Sequence, residues 1–140
     1  YSKTEKKDFY VYCVCGDGEL QEGQIWEAVM SASHYKLDNL ILFVDQNQLQ
    51  IDGRVENVMN VVPIADKFKA FGWSVYEADG HNIEALDETI DKAKKVHGAP
   101  SVIVCHTIKG KGVSYMENEV GWHGAAPNEE QYLQAMKELM

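Results

Sequence analysis

Two short apolar runs constrain the fold of this chain more than any other feature of its sequence. The first covers residues 9–15, and the second covers residues 40–44. Both are too short for buried helices and are rich in β-branched and aromatic residues, which is typical of buried strands. Asp17 follows the first run within a Gly-Asp-Gly triplet, and Asn47 follows the second run thirty positions later. Two such strands with a helix between them predict a parallel βαβ unit.

Asp17 and Asn47 are predicted to lie together at one edge of this sheet. In open parallel sheets, ligands bind beyond the carboxyl ends of the strands. A carboxylate and an amide oxygen are hard ligands of the kind that Mg²⁺ prefers. Gly18 leaves no Cβ in the way of an approaching phosphate, and the N-terminus of a helix that follows Gly23 favours anions. This edge is therefore interpreted as a site for magnesium and a diphosphate.

The remaining patterns predict an α/β fold with an open, mostly parallel sheet and helices on both faces. Asn82 is suited to cap a helix, and Asn128 with Gln131 resembles a capping box before the last helix. The apolar stripe of that last helix is expected to join the core. The predicted strands are 9–15, 40–44, 73–78 and 101–107. Of the four predicted helices, one follows Gly23, one runs from Pro63 to about Phe71, one runs from Asn82 through Val96, and one follows Asn128. The apolar stripe of the last helix comprises Tyr132, Leu133, Met136 and Leu139.

A long loop, residues 108–127, separates the last predicted strand from the last helix. Long loops at the functional edge of a sheet usually serve a site. Lys109, Lys111 and His123 cluster positive charge in this loop of an otherwise acidic chain. A solvated basic loop and an anion-binding loop both fit, and the glycines between the lysines favour the second. We expect the loop to form a flap over a bound cofactor.

The helix after Gly23 has an unusual composition, because Glu27 is its only charged residue between Glu22 and His34. A helix that is apolar nearly all round is expected to be buried on most of its sides. Packing under its own sheet and contact with another subunit explain this pattern equally well.

Composition and charge narrow the class of protein. A hydrophobic content of 45% in 140 residues supports one packed domain, residues 1–140, and the net charge of -9 argues against nucleic acid as a partner. No apolar run approaches the length of a membrane span and no signal peptide is visible, so a cytoplasmic protein that binds no membrane is expected. Cys13, Cys15 and Cys105 all lie in predicted strands and are expected to be buried, reduced core thiols.

Six segments together resemble the thiamine-diphosphate signature of transketolases. A Gly-Asp-Gly triplet alone would be weak support, but the spaced asparagine and the further motifs follow in the family's order. The resemblance runs from about Tyr10 to the C-terminus. The segments are 16–18 (Gly-Asp-Gly), 22–28 (Glu-Gly-Gln-Ile-Trp-Glu-Ala), 45–53 (Asp-Gln-Asn-Gln-Leu-Gln-Ile-Asp-Gly), 79–81 (Asp-Gly-His), 107–112 (Thr-Ile-Lys-Gly-Lys-Gly) and 121–127 (Gly-Trp-His-Gly-Ala-Ala-Pro).

The resemblance implies a magnesium site with three ligands from this chain. Asp17 and Asn47 would supply side-chain oxygens, and Leu49 would supply its backbone carbonyl. Two diphosphate oxygens and one water would complete an octahedral site. Leu49 has no independent signal in the sequence.

The resemblance also assigns residues to thiamine diphosphate and to catalysis. Gly18 would approach the diphosphate, and Lys109 and His123 would bind it. Ile51 would pack near the thiazolium ring, although an isoleucine is more often part of a core. His123 would also meet a substrate hydroxyl. Glu22 would bridge two active sites across a dimer, although a first-turn acid can instead stabilise the helix dipole. The histidines expected to be structural are His34, His81, His97 and His106.

The activity implied by the resemblance is the transfer of a two-carbon ketol unit between ketose and aldose phosphates, with thiamine diphosphate and magnesium as cofactors. In this family a glutamate from a different domain activates the cofactor, and no segment of this chain matches that domain. The chain is therefore expected to be the N-terminal, diphosphate-binding part of the enzyme, without the family's first sheet elements. Its partner would be a C-terminal subunit that carries the pyrimidine-binding domain, in a homo- or hetero-oligomer. The missing elements would leave a sheet edge open.

Four alternatives remain open at this point. A 2-oxo acid dehydrogenase E1 subunit or a deoxyxylulose phosphate synthase would share the triplet and the asparagine, although the segments 22–23 and 51–53 disfavour both. A nicotinamide site would need a glycine at Gln21. A calcium loop from Asp45 fails at Leu49 and Gln50. A non-catalytic assembly module could keep the same cofactor pocket.

Overall fold

The sheet consists of four parallel strands. The computed structural model describes all residues, 1–140. The strands of the sheet are β1 (Val11–Gly16), β2 (Leu40–Gln46), β5 (Ser74–Asp79) and β6 (Ser101–His106), in the spatial order β1-β2-β6-β5. The two edge strands are therefore β1 and β5. This arrangement, with helices on both faces, confirms the predicted α/β fold.

The strand register brings the carboxyl ends to one level. Gly16 at the end of β1 pairs with Asp45 of β2, and Asp45 pairs with Cys105 of β6. Gln46 pairs with His106, which in turn pairs with Asp79 at the end of β5. The loops that follow β1, β2, β5 and β6 therefore start side by side along one edge of the sheet.

A small hairpin follows β2, where the sequence predicts only a loop. Its strands are β3 (Leu49–Gln50) and β4 (Gly53–Arg54), which pair antiparallel, and the short helix α2 (Val55–Val58) comes next. Gly53 has a φ of 139°, a backbone conformation that a side chain would disfavour. Strands of two residues are too short to produce a periodic sequence pattern, so the hairpin left no signal.

The helices begin close to where their caps predict. They are α1 (Gly23–His34), α3 (Ile64–Ala70), α4 (Ile83–Ala93) and α5 (Glu129–Leu139). The Asn82 side chain accepts a hydrogen bond from the Ala85 N–H at 3.0 Å, and Asn128 and Gln131 form the predicted capping box of α5. The helix α4 ends at Ala93, before the predicted Val96, and Pro63 precedes α3 instead of lying in its first turn.

The larger core lies between the sheet and the helices α1 and α3. Phe68 of α3 is fully buried and packs on Trp26 and Trp73, with ring centroids 5.5 and 5.3 Å apart. The Trp73 indole donates a hydrogen bond to the Val29 carbonyl at 2.9 Å, which ties α1 to the chain entering β5. The opposite face of the sheet is covered by α4, where Ile41, Ile103 and Ala93 form a second buried cluster.

The prediction that β1 is a buried strand is wrong. Val14 is 69% exposed, and Tyr12 and Cys13 are also exposed. The physical reason is that β1 is an edge strand with β2 as its only neighbour, while α4 lies over β5 and β6. This open edge was itself expected. The prediction of buried thiols holds for Cys15 and Cys105, whose pKa burial raises to about 11, and is wrong for Cys13.

Two helices are more exposed than their sequences predict. The stripe of α5, predicted to be core, lies at the surface, because α5 rests on the 108–127 loop through bonds such as Tyr115 Oη to the Gln131 carbonyl at 2.7 Å. The helix α1 fully buries only Val29 and Ala32, so burial on most of its sides is also wrong within this chain. Contact of its exposed face with another subunit stays a prediction.

Phe68→Ala is expected to lower the free energy of unfolding by about 3–5 kcal/mol, because it removes a fully buried aromatic side chain and leaves a cavity. The exposed Tyr35 provides a matched control, and Tyr35→Ala is expected to change the free energy by less than about 0.5 kcal/mol. Urea unfolding monitored by tryptophan fluorescence measures both. Equal losses in the two variants would contradict the assignment of the core.

Candidate functional site

An open cavity lies beyond the carboxyl ends of β1 and β2. Its volume of about 870 Å³ falls in the range of small-molecule sites. Its lining is polar, with Leu49 and Ile51 as the only apolar residues. The structure brings seven of the eight residues predicted for the site around this one cavity: Gly18, Glu22, Asn47, Leu49, Ile51, Lys109 and His123.

The eighth predicted residue, Asp17, lies behind the cavity wall and is 2% exposed. Its Oδ2 accepts a hydrogen bond from the Gln48 N–H at 2.7 Å, and its Oδ1 accepts one from the Gly18 N–H at 3.0 Å. Burial raises the pKa of the Asp17 carboxyl, and the nearby Asp45 carboxylate raises it further, against the opposing effect of the two N–H donors. A cation beside this carboxylate would offset the cost of burying its charge.

Asn47 is oriented by a residue that the sequence motifs did not single out. Its Nδ2 donates to Asp45 Oδ2 at 3.2 Å, and its Oδ1 accepts from the Leu49 N–H at 2.9 Å. Asp45 in turn accepts a hydrogen bond from the Thr107 hydroxyl, which anchors it to the end of β6. Asp45 also lines the cavity. Its only sequence signal is its place in an Asp-x-Asn triplet at the end of a strand.

The backbone of Leu49 is available to the cavity. The Gln48 carbonyl accepts from the Val55 N–H at 3.0 Å, so this peptide group directs its oxygen toward β4 and its Leu49 N–H away. In an extended residue the N–H and the C=O point to the same side, so the Leu49 carbonyl also points away from β4. Leu49 lines the cavity, and this carbonyl is the atom that the resemblance assigns to the metal.

Gly18 allows a close approach between two parts of the site. A Cβ at this position would lie 3.0 Å from the Gln50 Cβ, which is tighter than ordinary side-chain contacts. The Gln21 amide donates to Gln50 Oε1 at 2.6 Å and to the Met59 carbonyl at 2.7 Å. These bonds hold the 3-10 turn Gly18–Gln21 against the β3–β4 hairpin.

The three basic residues of the long loop separate in the structure. Lys109 and His123 line the cavity, and His123 ends the 3-10 turn Val120–His123. Lys111 lies away from the cavity, with its ammonium 3.7 Å from Glu117. The half-buried Lys109 makes no ion pair and no side-chain hydrogen bond with the protein. Lys109 is therefore the one lysine of the cavity, and it forms no direct ion pair with the acidic residues that also line it.

The remaining two predicted residues lie at the rim. Ile51 is 71% exposed, so the alternative that it belongs to a core does not apply within this chain. Glu22 occupies the N-cap position of α1, but its side chain makes no capping hydrogen bond. The roles assigned to both residues stay predictions.

The chain is similar to known proteins of one family. Residues 2–140 match the family described as "Transketolase, thiamine diphosphate binding domain". The chain is 43% identical over 138 residues to one of the subunits of an apulose-4-phosphate transketolase from Phocaeicola vulgatus, a match that covers 99% of this chain and 49% of that protein. It is 44% identical over 129 residues to 6-deoxy-6-sulfo-D-fructose transketolase subunit SqwG from Clostridium sp. (strain MSTE9), covering 92% of this chain and 47% of that protein.

A solved structure shows the same fold. The transketolase from Campylobacter jejuni superposes with a TM-score of 0.87 and 37% sequence identity, covering 94% of this chain and 20% of that one. The chain spans about half the length of the two curated relatives described above. The family match over nearly every residue, together with the shared fold, shows that the chain belongs to the transketolase family and contains its thiamine-diphosphate-binding domain.

Proposed function

We propose that residues 1–140 form the diphosphate- and magnesium-binding domain of an enzyme that transfers a two-carbon ketol unit between ketose and aldose phosphates. One observation carries the proposal: the oxygen ligands of Asp17 and Asn47 and the unpaired Lys109 all lie at, or directly behind, the wall of a single cavity. A divalent cation and an anionic group can be held together there. We further propose that the enzyme works in the cytoplasm.

The donor set at this cavity fits magnesium held together with a diphosphate. Asp17, Asn47 and Leu49 offer one carboxylate, one amide oxygen and one backbone carbonyl, all of them hard ligands. Nowhere in the chain do three His, Cys, Asp or Glu side chains converge as a protein-only metal centre. Magnesium bound here would therefore take its remaining ligands from the diphosphate and water, as this small cation usually does.

Two residues of the 108–127 loop that line the cavity suit the anionic group. Lys109 forms no ion pair within the protein, so a diphosphate would provide a negatively charged partner for its ammonium. His123 borders the same space and would donate a hydrogen bond to the diphosphate. Gly18 also lines the cavity, and its backbone would approach the diphosphate.

Thiamine diphosphate, when bound, would supply the carbanion chemistry that ketol transfer requires. The residues of this chain would bind the cofactor and the substrate and orient them. Ile51, an exposed apolar side chain on a polar cavity, would cover the thiazolium ring and exclude water from it. His123 at the rim would hold a substrate hydroxyl, and Glu22 would reach across an interface to a second active site.

A partner subunit is proposed to complete the site. Leu49 and Ile51 are the only apolar residues of the cavity, so this chain offers no aromatic wall for a pyrimidine ring. The relatives from Phocaeicola vulgatus and Clostridium are both named as subunits of transketolases. We infer a C-terminal subunit that carries the pyrimidine-binding domain and its activating glutamate.

The metal ligands can be tested by calorimetric titration of thiamine diphosphate in the presence of Mg²⁺. Asp17→Ala is expected to weaken binding by more than about 100-fold, because even the loss of an outer partner of a metal ligand costs about 10–100-fold. Asn47→Ala is expected to weaken it less, since it removes a neutral ligand. Asp66→Ala, at an exposed position of α3, serves as the control and is expected to bind normally. Unchanged affinity in a folded Asp17→Ala protein would refute the metal site.

Lys109 and Lys111 form a matched pair for testing the anion end. Lys109→Ala is expected to weaken cofactor binding about tenfold, the scale of one hydrogen bond to a charged group. The difference from wild type is expected to shrink at high salt, because ions screen the lysine. Lys111→Ala is expected to leave affinity unchanged, since Lys111 pairs with Glu117 outside the cavity. Equal effects of the two substitutions would contradict a specific role for Lys109.

Ketol transfer is expected only when this chain is combined with its partner subunit. The assay contains thiamine diphosphate, Mg²⁺, and a ketose phosphate with an aldose phosphate acceptor. This chain by itself is expected to show no turnover, because it supplies no group to activate the cofactor or enclose its pyrimidine ring. Turnover by this chain without a partner would overturn the proposed division of the active site.

A further inference from the structure

The Asp-Gly-His turn at residues 79–81 lies against the end of β6. The Gly80 N–H donates to the His106 carbonyl at 2.9 Å, and Asp79 Oδ1 accepts from the His81 N–H at 2.9 Å. A Cβ on Gly80 would lie only 2.4 Å from the Thr107 Cγ2, so a larger residue would push the turn away from the strand. The turn therefore places His81 beside the first residues of the long loop.

The imidazole of His81 bonds directly to that loop. Its Nε2 accepts a hydrogen bond from the Ile108 N–H at 2.7 Å. A backbone N–H can only donate, so Nε2 is the acceptor in this hydrogen bond. Ile108 is the residue immediately before Lys109. His81 was expected to be structural, and its contact shows which segment it holds: the start of the 108–127 loop.

The backbone around Lys109 is held on its other side as well. The Lys109 carbonyl accepts from the Asn118 N–H at 2.9 Å, which closes the base of the loop. Gly110, with a φ of 74°, packs so closely that a Cβ would lie 2.5 Å from the Met116 carbonyl oxygen. The Lys109 backbone thus sits between His81 and Asn118, while its ammonium is free at the cavity.

The neighbouring histidine on the same edge does something different. His106 Nε2 lies 2.8 Å from Glu77 Oε2, and both side chains are more than half exposed. This pair joins β5 to β6 and makes no bond to the loop. The two histidines therefore have different partners: His106 contacts the Glu77 carboxylate, and His81 accepts a hydrogen bond from the backbone of the loop.

We propose that His81 is a positioning residue, which fixes the start of the 108–127 loop so that Lys109 points its charge into the cavity. The inference rests on the proposed function, because the ligand of Lys109 there is the diphosphate of the cofactor. His81 Nε2 already accepts from the Ile108 N–H, so it is not free to donate a hydrogen bond to the anion. The backbone at Lys109 is then fixed before binding, so less backbone freedom is lost when the diphosphate binds.

The test uses the full-length protein assembled with its partner subunit. The variants are His81→Ala, which loses the acceptor; His81→Gln, whose Oε1 can replace Nε2; Lys109→Ala; and the double variant. His97→Ala is the control, since His97 is an exposed histidine on the connection that enters β6 from the other edge. Hydrogen exchange of the Ile108 amide is measured without cofactor, and thiamine diphosphate affinity is measured by calorimetry with Mg²⁺.

His81→Ala is expected to lose the protection of the Ile108 amide and to weaken cofactor binding about threefold to tenfold, the scale of one lost hydrogen bond. His81→Gln is expected to restore both, and His97→Ala is expected to change neither. In the Lys109→Ala background, adding His81→Ala is expected to cost little more, because one residue acts through the other. Additive losses, or wild-type affinity in His81→Ala, would overturn the proposal.

The outcomes separate this inference from the proposed function. If the wild-type protein binds no thiamine diphosphate, the proposed function fails, and the Ile108 amide still decides whether His81 holds the loop. If wild type binds and His81→Ala keeps its Ile108 protection, the inference fails while the proposed function stands.

Discussion

The hydrogen bond from the Gln48 N–H to the Asp17 carboxylate is the interaction on which the site depends. It joins the end of β1 to the turn after β2 across 31 positions of sequence. The same carboxylate accepts from the Gly18 N–H, so one buried side chain shapes both loops. Asn47 and Leu49 flank Gln48 directly, and their positions follow from this bond. In the proposed metal site, these two hydrogen bonds would hold the Asp17 carboxylate in place beside the cation.

Acidic and basic groups from different loops meet at the cavity. Asp17 and Asp45 lie at the ends of β1 and β2, and Lys109 and His123 come from the loop after β6, while Glu19, Glu22 and Asp52 also line the cavity. In the proposed function, a cation would bind beside Asp17 and Asn47, and the diphosphate would meet Lys109 and His123. The parallel register is what makes this possible, because it starts all of these loops at one level.

The sequence correctly predicted the central strands and the helix caps, whose contacts are made within this chain. The apolar runs of β2 and β6 fill the centre of the sheet, and the caps at Asn82 and Asn128 depend only on neighbouring residues. The apolar run in β1 has a similar composition, but β1 is an edge strand and is exposed in this chain. Composition shows that a segment is apolar, and it does not show which element packs against it. The prediction that the apolar stripe of α5 joins the core was wrong for the same reason.

The thirty-residue spacing between strand ends predicted that Asp17 and Asn47 lie together, whereas Leu49 and Ile51 were assigned to the site only through the resemblance. Asp45 and His81 lie in segments that the resemblance covers, but their roles could not be assigned, because these depend on contacts with Thr107 and Ile108, more than twenty positions away. A hydrogen bond between distant loops has no periodic pattern. Such positioning residues emerge only when the turns that carry them are seen in three dimensions.

The proposed metal site can be located by anomalous scattering from a crystal of the assembled enzyme grown with thiamine diphosphate and Mn²⁺ in place of Mg²⁺. One anomalous peak is expected at ligand distance, about 2.0–2.3 Å, from a side-chain oxygen of Asp17, the amide oxygen of Asn47 and the carbonyl oxygen of Leu49. A cofactor bound with its metal elsewhere, or with these three oxygens unused, would refute the proposed site.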